Sequence, residues 1–293
     1  MNHELILLVD AGNSRLKMQM VARPAAALFS ADWLAQAPMV SLNNEDVSAD
    51  VLVAQWQQHR EQWDAAGDRA PRLSWLSVGP ASTRQAVQTA FERLTDCPCP
   101  APWEPTATLH CKGVGITTFH NHYRDPKQLG ADRWVSALGL ACRGVMSPGQ
   151  THMVVSAGTA TTIDVVQCDA QGDLHFLGGW ILPGIGLMED ALRLKTRDLN
   201  ARLQTPSSSA HVTIPVDSYH AIRSGIGLAQ IGAVAQAMRD QPISSLWLHG
   251  GYAAQWQAYF LAATDTINAH RVTLRDASGI VFLGLLALSD VQA

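Results

Sequence analysis

Apolar and polar positions in this 293-residue chain change period several times. Leu5 to Val9 is an unbroken apolar run that stops at Asp10. After the small-Gly-polar stretch Ala11-Gly12-Asn13-Ser14, a second strand-like run leaves carrying Arg15, Leu16 and Lys17. This predicts a hairpin with strands at 4–10 and 15–21, its turn made by Gly12, which permits the required backbone angles, and Asn13, which tolerates them. The same shape recurs at Met153-Val154-Val155, Ser156-Ala157-Gly158-Thr159 and Ala160 to Asp164.

Helical spacing of Val51, Leu52, Trp56 and Trp63 predicts a helix over 47–66. A strand at 73–78 runs into Gly79-Pro80, with Ser82 as the N-cap of a helix through Leu94. Leu28-Phe29 is a candidate third strand, 97–105 a proline-rich loop, 113–122 an extended piece and 131–142 a helix. In the second half, a strand at 174–177 leads through a glycine-rich junction (178–186) to a helix ending at 194. A helix over 218–238 carries Gly225, Gly227 and Gly232, each costing about 1 kcal/mol against Ala, which predicts close packing there. A strand at 243–248 ends at His249-Gly250-Gly251, and a helix at 252–263, a strand at 271–274 and a helix at 280–288 close the pattern. The strand–helix rhythm is α/β. With the repeated hairpin it predicts a duplicated fold of two domains, 1–125 and 126–293, with a nucleotide between the hairpins. The length suits two cores.

Composition narrows the class. The net charge of −4 argues against direct nucleic-acid binding, which needs a basic face. Met1 to Glu4 has no positive stretch of the signal-peptide kind, and the apolar run 279–288 is too short to span a bilayer. Five cysteines, without a C-x-x-C pair, suit free thiols in a reducing compartment, so the expectation is a cytoplasmic protein without a membrane partner. Cys97, Cys99, Cys111, His110, His120 and His122 are neighbours in sequence. They match no standard zinc spacing and read as scattered thiols and solvated histidines.

The chemistry concentrates in the two turns. Backbone N–H groups in a glycine turn form a concave anion site. Asp10 could hold Mg²⁺ or its water shell, and Lys17 could neutralise phosphates. In the second turn Ser156, Gly158, Thr159, Thr161 and Thr162 offer hydroxyls and amides to phosphate oxygens. Two such turns plus Gly250-Gly251 resemble the pattern of the actin, sugar-kinase and Hsp70 type of ATPase, which implies duplicated ribonuclease H-like domains with a cleft between them.

A closer resemblance covers residues 5 to about 285. Asp10-Ala11-Gly12-Asn13-Ser14-Arg15-Leu16-Lys17 resembles the D-x-G-N-[ST]-x-x-K signature of type III pantothenate kinases. Tyr123 to Arg133 resembles their Y-x-x-P-x-x-L-G-x-D-R segment, and Gly158 to Asp164 their second phosphate motif. Gly178 to Gly184, Asp217 to Gly225 and Leu248 to Gly251 resemble three later motifs. The chain is also similar to the Bvg accessory factor branch of that family.

The resemblance implies ATP-dependent phosphorylation of pantothenate, the first step toward coenzyme A, in a homodimer whose active site includes the subunit interface. It implies Asp132 as the base. ATP would bind at Asp10, the 11–17 turn and Thr159, and pantothenate at Tyr123, Gly130, Ala131, Asp132, Arg133 and Ser218. Ser218 stands where the family has a Thr from the neighbouring subunit, and Thr196 is a second candidate for that hydroxyl. Many family members carry an Asp, a ligand for K⁺ or NH4⁺, where this chain has Ser156, which implies weakened cation dependence. Two other readings share the fold: a kinase of another small alcohol, and a regulatory protein of the accessory-factor type.

Overall fold

The computed structural model describes residues 3–24, 34, 37–61, 71–111, 118–195, 214–239, 241–263 and 272–291. Contacts divide the chain into two units. The first comprises Met1–Pro148, Cys168–Phe176 and Gly279–Ala293; the second comprises Gly149–Gln167 and Leu177–Ser278.

In the first unit, β1 (His3–Ala11) and β2 (Arg15–Pro24) form the expected antiparallel hairpin, with Asp10 opposite Lys17. β3 (Met39–Asn43) joins β2 antiparallel, and β4 (Arg72–Ser77) joins β1 parallel, giving the order β3-β2-β1-β4. Alternation along β1 sorts its side chains. Leu5, Leu7, Val9 and Ala11 share a core with Trp56 of α1 (Ala49–Glu61) and with Val87 and Phe91 of α2 (Ala81–Thr95). Ile6, Leu8 and Asp10 therefore point to the opposite face. There the last helix, α7 (Ile280–Val291), lies against β1 and β4. Ser74 donates to the Leu285 carbonyl at 2.7 Å and Arg72 to that of Ser289.

Helix α3 (Ala131–Cys142) packs on α7 at backbone distance. A Cβ on Gly139 would stand 1.9 Å from the Ile280 carbonyl oxygen, and one on Gly284 would stand 2.2 Å from that of Val135. This crossing keeps α3 in the first unit, so the contact boundary falls after Pro148 and not at the 125/126 division expected from the sequence. The unit also holds β5 (Thr108–His110), β6 (Thr118–Asn121) and the start of β9 (Leu174–Pro183), with β6 and β9 parallel.

The second unit repeats the plan. β7 (Thr151–Ala157) and β8 (Ala160–Cys168) form a hairpin with Ser156 opposite Thr162. β10 (Ile243–His249) runs parallel to β7 and β11 (Thr273–Asp276) parallel to β10. Met153, Val155 and Ala157 face a core with α4 (Ile185–Lys195), α5 (Ser218–Arg239) and α6 (Ala253–Ala262). Ser156 thus takes the position in β7 that Asp10 takes in β1. The fold is α/β with mixed sheets, and the duplicated hairpin-plus-parallel-strand plan is that of the ribonuclease H-like architecture.

Several local expectations shift. Trp63, Leu28-Phe29 and residues 113–117 lie outside the described residues. β3 is a half-exposed edge strand too short and mixed to signal itself. The second helix starts at Ala81 with Pro80 at the N-cap, so Ser82 lies inside it. The last strand runs Thr273–Asp276, two residues past the expected end at 274, and Arg271 lies outside the described residues. Of the three α5 glycines, Gly227 alone meets the expected close neighbour: a Cβ would sit 2.7 Å from the Tyr259 ring, whereas Gly225 and Gly232 have nothing within 4 Å. Among the described residues no helix is long and apolar enough to cross a membrane.

The α3–α7 crossing predicts that Gly139→Ala destabilises the protein by about 3 kcal/mol, since backbone rather than a flexible side chain must give way. Urea denaturation followed by circular dichroism checks this; a change below about 0.5 kcal/mol, the usual scale of a surface substitution, would contradict it.

Candidate active site

The first turn is pinned from three sides. Gly12 N–H donates across it to the Arg15 carbonyl at 3.0 Å. Val78 and Gly79 N–H both donate to the Ala11 carbonyl at 3.0 Å. The Asn44 side chain donates to the carbonyls of Gly12 (3.0 Å) and Asn13 (2.8 Å). Gly79 must be glycine, because its Cβ would fall 2.2 Å from the Gly12 carbonyl oxygen. Asn13, Ser14 and Arg15 are exposed at the tip, whereas the side chains of Ala11 and Leu16 are core and leave only backbone to the turn. Asn44 and Gly79 were not singled out from the sequence; both act through backbone contacts that leave no spacing signal.

Asp10 is next to last in β1, with 8% of its surface exposed. Burial pushes its carboxyl from 3.8 to about 6, the facing Lys17 pulls it down, and the charge of Asp132 pushes it up. Two carboxylates from distant parts of the chain thus act on one another.

Asp132 is in the first turn of α3. Burial raises its carboxyl, against the opposing pull of the Arg133 N–H, which donates to Oδ1 at 2.9 Å, and of the Arg133 charge. A Cβ on Gly130 would lie 2.7 Å from Asp132 Oδ1, so glycine there leaves room for the acid. Arg133 is 5% exposed, donates to the Tyr123 hydroxyl at 2.8 Å, and lies 5.7 Å and 5.6 Å from the ring centres of Tyr123 and Phe176. Asn121 organises the approach: its Oδ1 accepts from Tyr123 N–H at 3.1 Å and its Nδ2 donates to the Pro126 carbonyl at 3.2 Å. Phe176 and Asn121 are further residues that sequence reasoning missed. The structure therefore places Asp10, Lys17, Tyr123, Gly130, Ala131, Asp132 and Arg133 in one unit.

The second unit holds the other expected residues. Gly158 N–H donates to the Ala160 carbonyl at 3.0 Å, Thr159 is exposed at the tip, and Ser156 is half-buried. Glycines again back the turn: a Cβ on Gly184 would meet Gly158 and Thr159 carbonyl oxygens at 2.4 Å, and one on Gly250 that of Ala157 at 2.3 Å. On the Ser156 face lies Asp164, 2% exposed, accepting from the Thr162 hydroxyl at 3.2 Å. Ser218 opens α5, half-buried, beside Asp217, which accepts from His220 N–H at 3.0 Å. Thr196 lies outside the described residues.

A carboxylate with a raised proton affinity, a second acid beside it and a lysine across a glycine-backed hairpin suit phosphoryl transfer to a hydroxyl. Comparison with known proteins gives the same class. The model of the type III pantothenate kinase family matches residues 6–240. The type III pantothenate kinase of Cupriavidus pinatubonensis is 32% identical over 244 residues, 80% of this chain and 82% of that protein. That of Bordetella petrii is 35% identical over 239 residues (79% and 74%), and that of Herminiimonas arsenicoxydans 29% over 285 residues (96% of each). A ROK hexokinase from Thermus thermophilus aligns over 98% of this chain and 99% of its own, at 15% identity and a TM-score of 0.47. The protein is a kinase. It belongs to the type III pantothenate kinase family.

Because folding raises the Asp10 carboxyl above its ordinary value, the ionised form is the costly one. Stability contributed by this site is present below about pH 4 and is lost as pH rises through about 6. Without nucleotide or metal, Asp10→Asn is therefore expected to be more stable than wild type at pH 8, by on the order of 3 kcal/mol, with the difference vanishing near pH 4. Thermal melts at the two pH values test this; a less stable variant at pH 8 would refute the assignment.

Proposed function

We propose that the chain transfers the γ-phosphoryl group of ATP to the primary hydroxyl of pantothenate, the first step of coenzyme A biosynthesis. The observation that carries the reading is Asp132. It is an acid with raised proton affinity at the start of α3, next to an arginine held between two rings, in a chain of this family. Asp132 is the base that accepts the hydroxyl proton as the oxygen–phosphorus bond forms. Arg133 offers a fork for the substrate carboxylate, Tyr123, Gly130 and Ala131 add pantothenate contacts, and Ser218 of the partner subunit supplies a further hydroxyl.

Asp10, the 11–17 turn and Lys17 bind the phosphates of ATP, and Thr159 offers a second amide-and-hydroxyl turn of the same kind. Asp10 suits a divalent ion: a buried acid held up by a neighbouring acid gains most from a cation. Mg²⁺ held there through water would neutralise charge on the transferred group. Most of the rate comes from positioning and charge neutralisation, because the transition state is loose.

The homodimer reading is supported by apolar side chains left exposed in the second unit, among them Trp180, Ile181, Leu187 and Leu228. A cytoplasmic setting is supported by five cysteines, all of them free thiols. At Ser156 a hydroxyl replaces a carboxylate, which lowers affinity for a monovalent cation.

Asp132→Asn is expected to fold normally and lose roughly 10²–10⁴-fold in kcat, read as ADP release with pantothenate and with a panel of other alcohols. Unchanged pantothenate turnover removes Asp132 as the base, and turnover with another alcohol alone removes the substrate. Titration of activity with K⁺ in buffer free of Na⁺ and K⁺ is expected to give a shallow response; a steep one removes the Ser156 reading.

A further inference from the structure

The parallel pairing of β6 with β9 sets His120 opposite His175 and Asn121 opposite Phe176. His122 continues the ladder, donating its N–H to the Phe176 carbonyl at 3.1 Å. Side chains alternate along a strand. Phe119, Asn121, Leu174 and Phe176 are therefore buried on one face, and His120, His122, Asp173 and His175 emerge together on the other. Asp169, in the turn before β9, completes this patch. Its Oδ1 accepts from the N–H groups of Gln171 and Asp173, both at 2.9 Å, and its Oδ2 accepts from His175 Nε2 at 3.0 Å.

That last bond fixes the His175 tautomer. With the proton on Nε2, neutral His175 presents a lone pair at Nδ1. His122 Nε2 stands 2.9 Å from that atom. The rings are held in place: His120 stacks on His175 at 4.8 Å and 17°, and His122 lies 5.2 Å from His175. His120 Nε2 is 3.9 Å from Asp173 Oδ2.

We propose that His122 Nε2 and His175 Nδ1 chelate a divalent first-row ion of the Ni²⁺, Cu²⁺ or Zn²⁺ kind, which takes the place of the proton they share. Imidazole nitrogens bound at about 2.0–2.1 Å and cis on one ion stand about 3 Å apart, the spacing already present here. His122 stays neutral by carrying its proton on Nδ1. Asp169 is the outer carboxylate that orients His175 and strengthens it as a ligand. The charges of Asp169 and Asp173 offset that of the ion, and imidazole ligands favour these metals over Mg²⁺ and Ca²⁺.

Among the described residues no three His, Cys, Asp or Glu side chains are gathered for one ion. The site is thus a two-nitrogen chelate completed by water. It is separate from the Mg²⁺ assigned to Asp10 and does not rest on the kinase reading. Sequence spacing could not reveal it, because His122 and His175 are 53 positions apart.

The test is calorimetric titration of EDTA-stripped, dialysed full-length protein with Ni²⁺ and with Zn²⁺, each variant first checked for folding by circular dichroism. Wild type is expected to take up the ion saturably. His122→Gln and His175→Gln each weaken uptake at least tenfold, and Asp169→Asn, which keeps both ligands, weakens it about tenfold. His220→Gln, in the other unit, leaves it unchanged. No saturable uptake by wild type, or equal uptake by a folded protein carrying both histidine substitutions, overturns the proposal.

Discussion

The contact on which the first unit's chemistry depends is between backbones. The Ala11 carbonyl takes the N–H groups of Val78 and Gly79, just past β4, and Gly79 lies so close to Gly12 that no side chain fits between them. This fixes the hairpin turn to the neighbouring parallel strand. Asp10 is one residue before the clamp and Lys17 is its cross-strand partner, so both inherit a set position. The second unit repeats the device with Gly250 and the Ala157 carbonyl, which also accepts from Tyr252 N–H at 2.9 Å. Glycine recurs at both places because a Cβ there would strike the backbone of the turn it holds.

Around this frame the protein keeps acids where water is scarce. Asp10 and Asp132 are raised by burial, and each is partly relieved by a cation beside it, Lys17 across the hairpin for one and Arg133 on the same helix for the other. An arrangement that costs stability when empty is suited to a ligand that brings positive charge or a transferable proton. The second hairpin has a milder counterpart, with Ser156 at the strand end and the acid set back at Asp164.

Much of this was legible in the chain. Both hairpins, the parallel strands after them and the helix beginning at Ala131 follow from apolar runs, periodicity and glycine placement. The acids and the arginine of the site stand in motifs that the family resemblance picks out. What stayed hidden depends on contacts across long separations. Asn44, Phe176 and Asn121 matter through where their partners lie, and residue type alone gives no hint of that. The edge strand β3 lacks a full apolar face, and the helix start at Ala81 follows Pro80 rather than a capping hydroxyl. Gly225 and Gly232 show the converse, where a packing cue in the sequence meets open space.

The seat of Asp132 has a consequence for the order of events during synthesis. Its helix rests on α7, and the glycine that permits the contact, Gly139, meets Ile280, about 140 positions later. Loops of that length close late, after local hairpins and helices have formed. On a growing chain the first hairpin turn can therefore assemble long before α3 has a surface to lie on. Asp132 acquires its fixed place only once residues 280–291 have emerged, so a partly made chain carries the first hairpin without the seat of this acid.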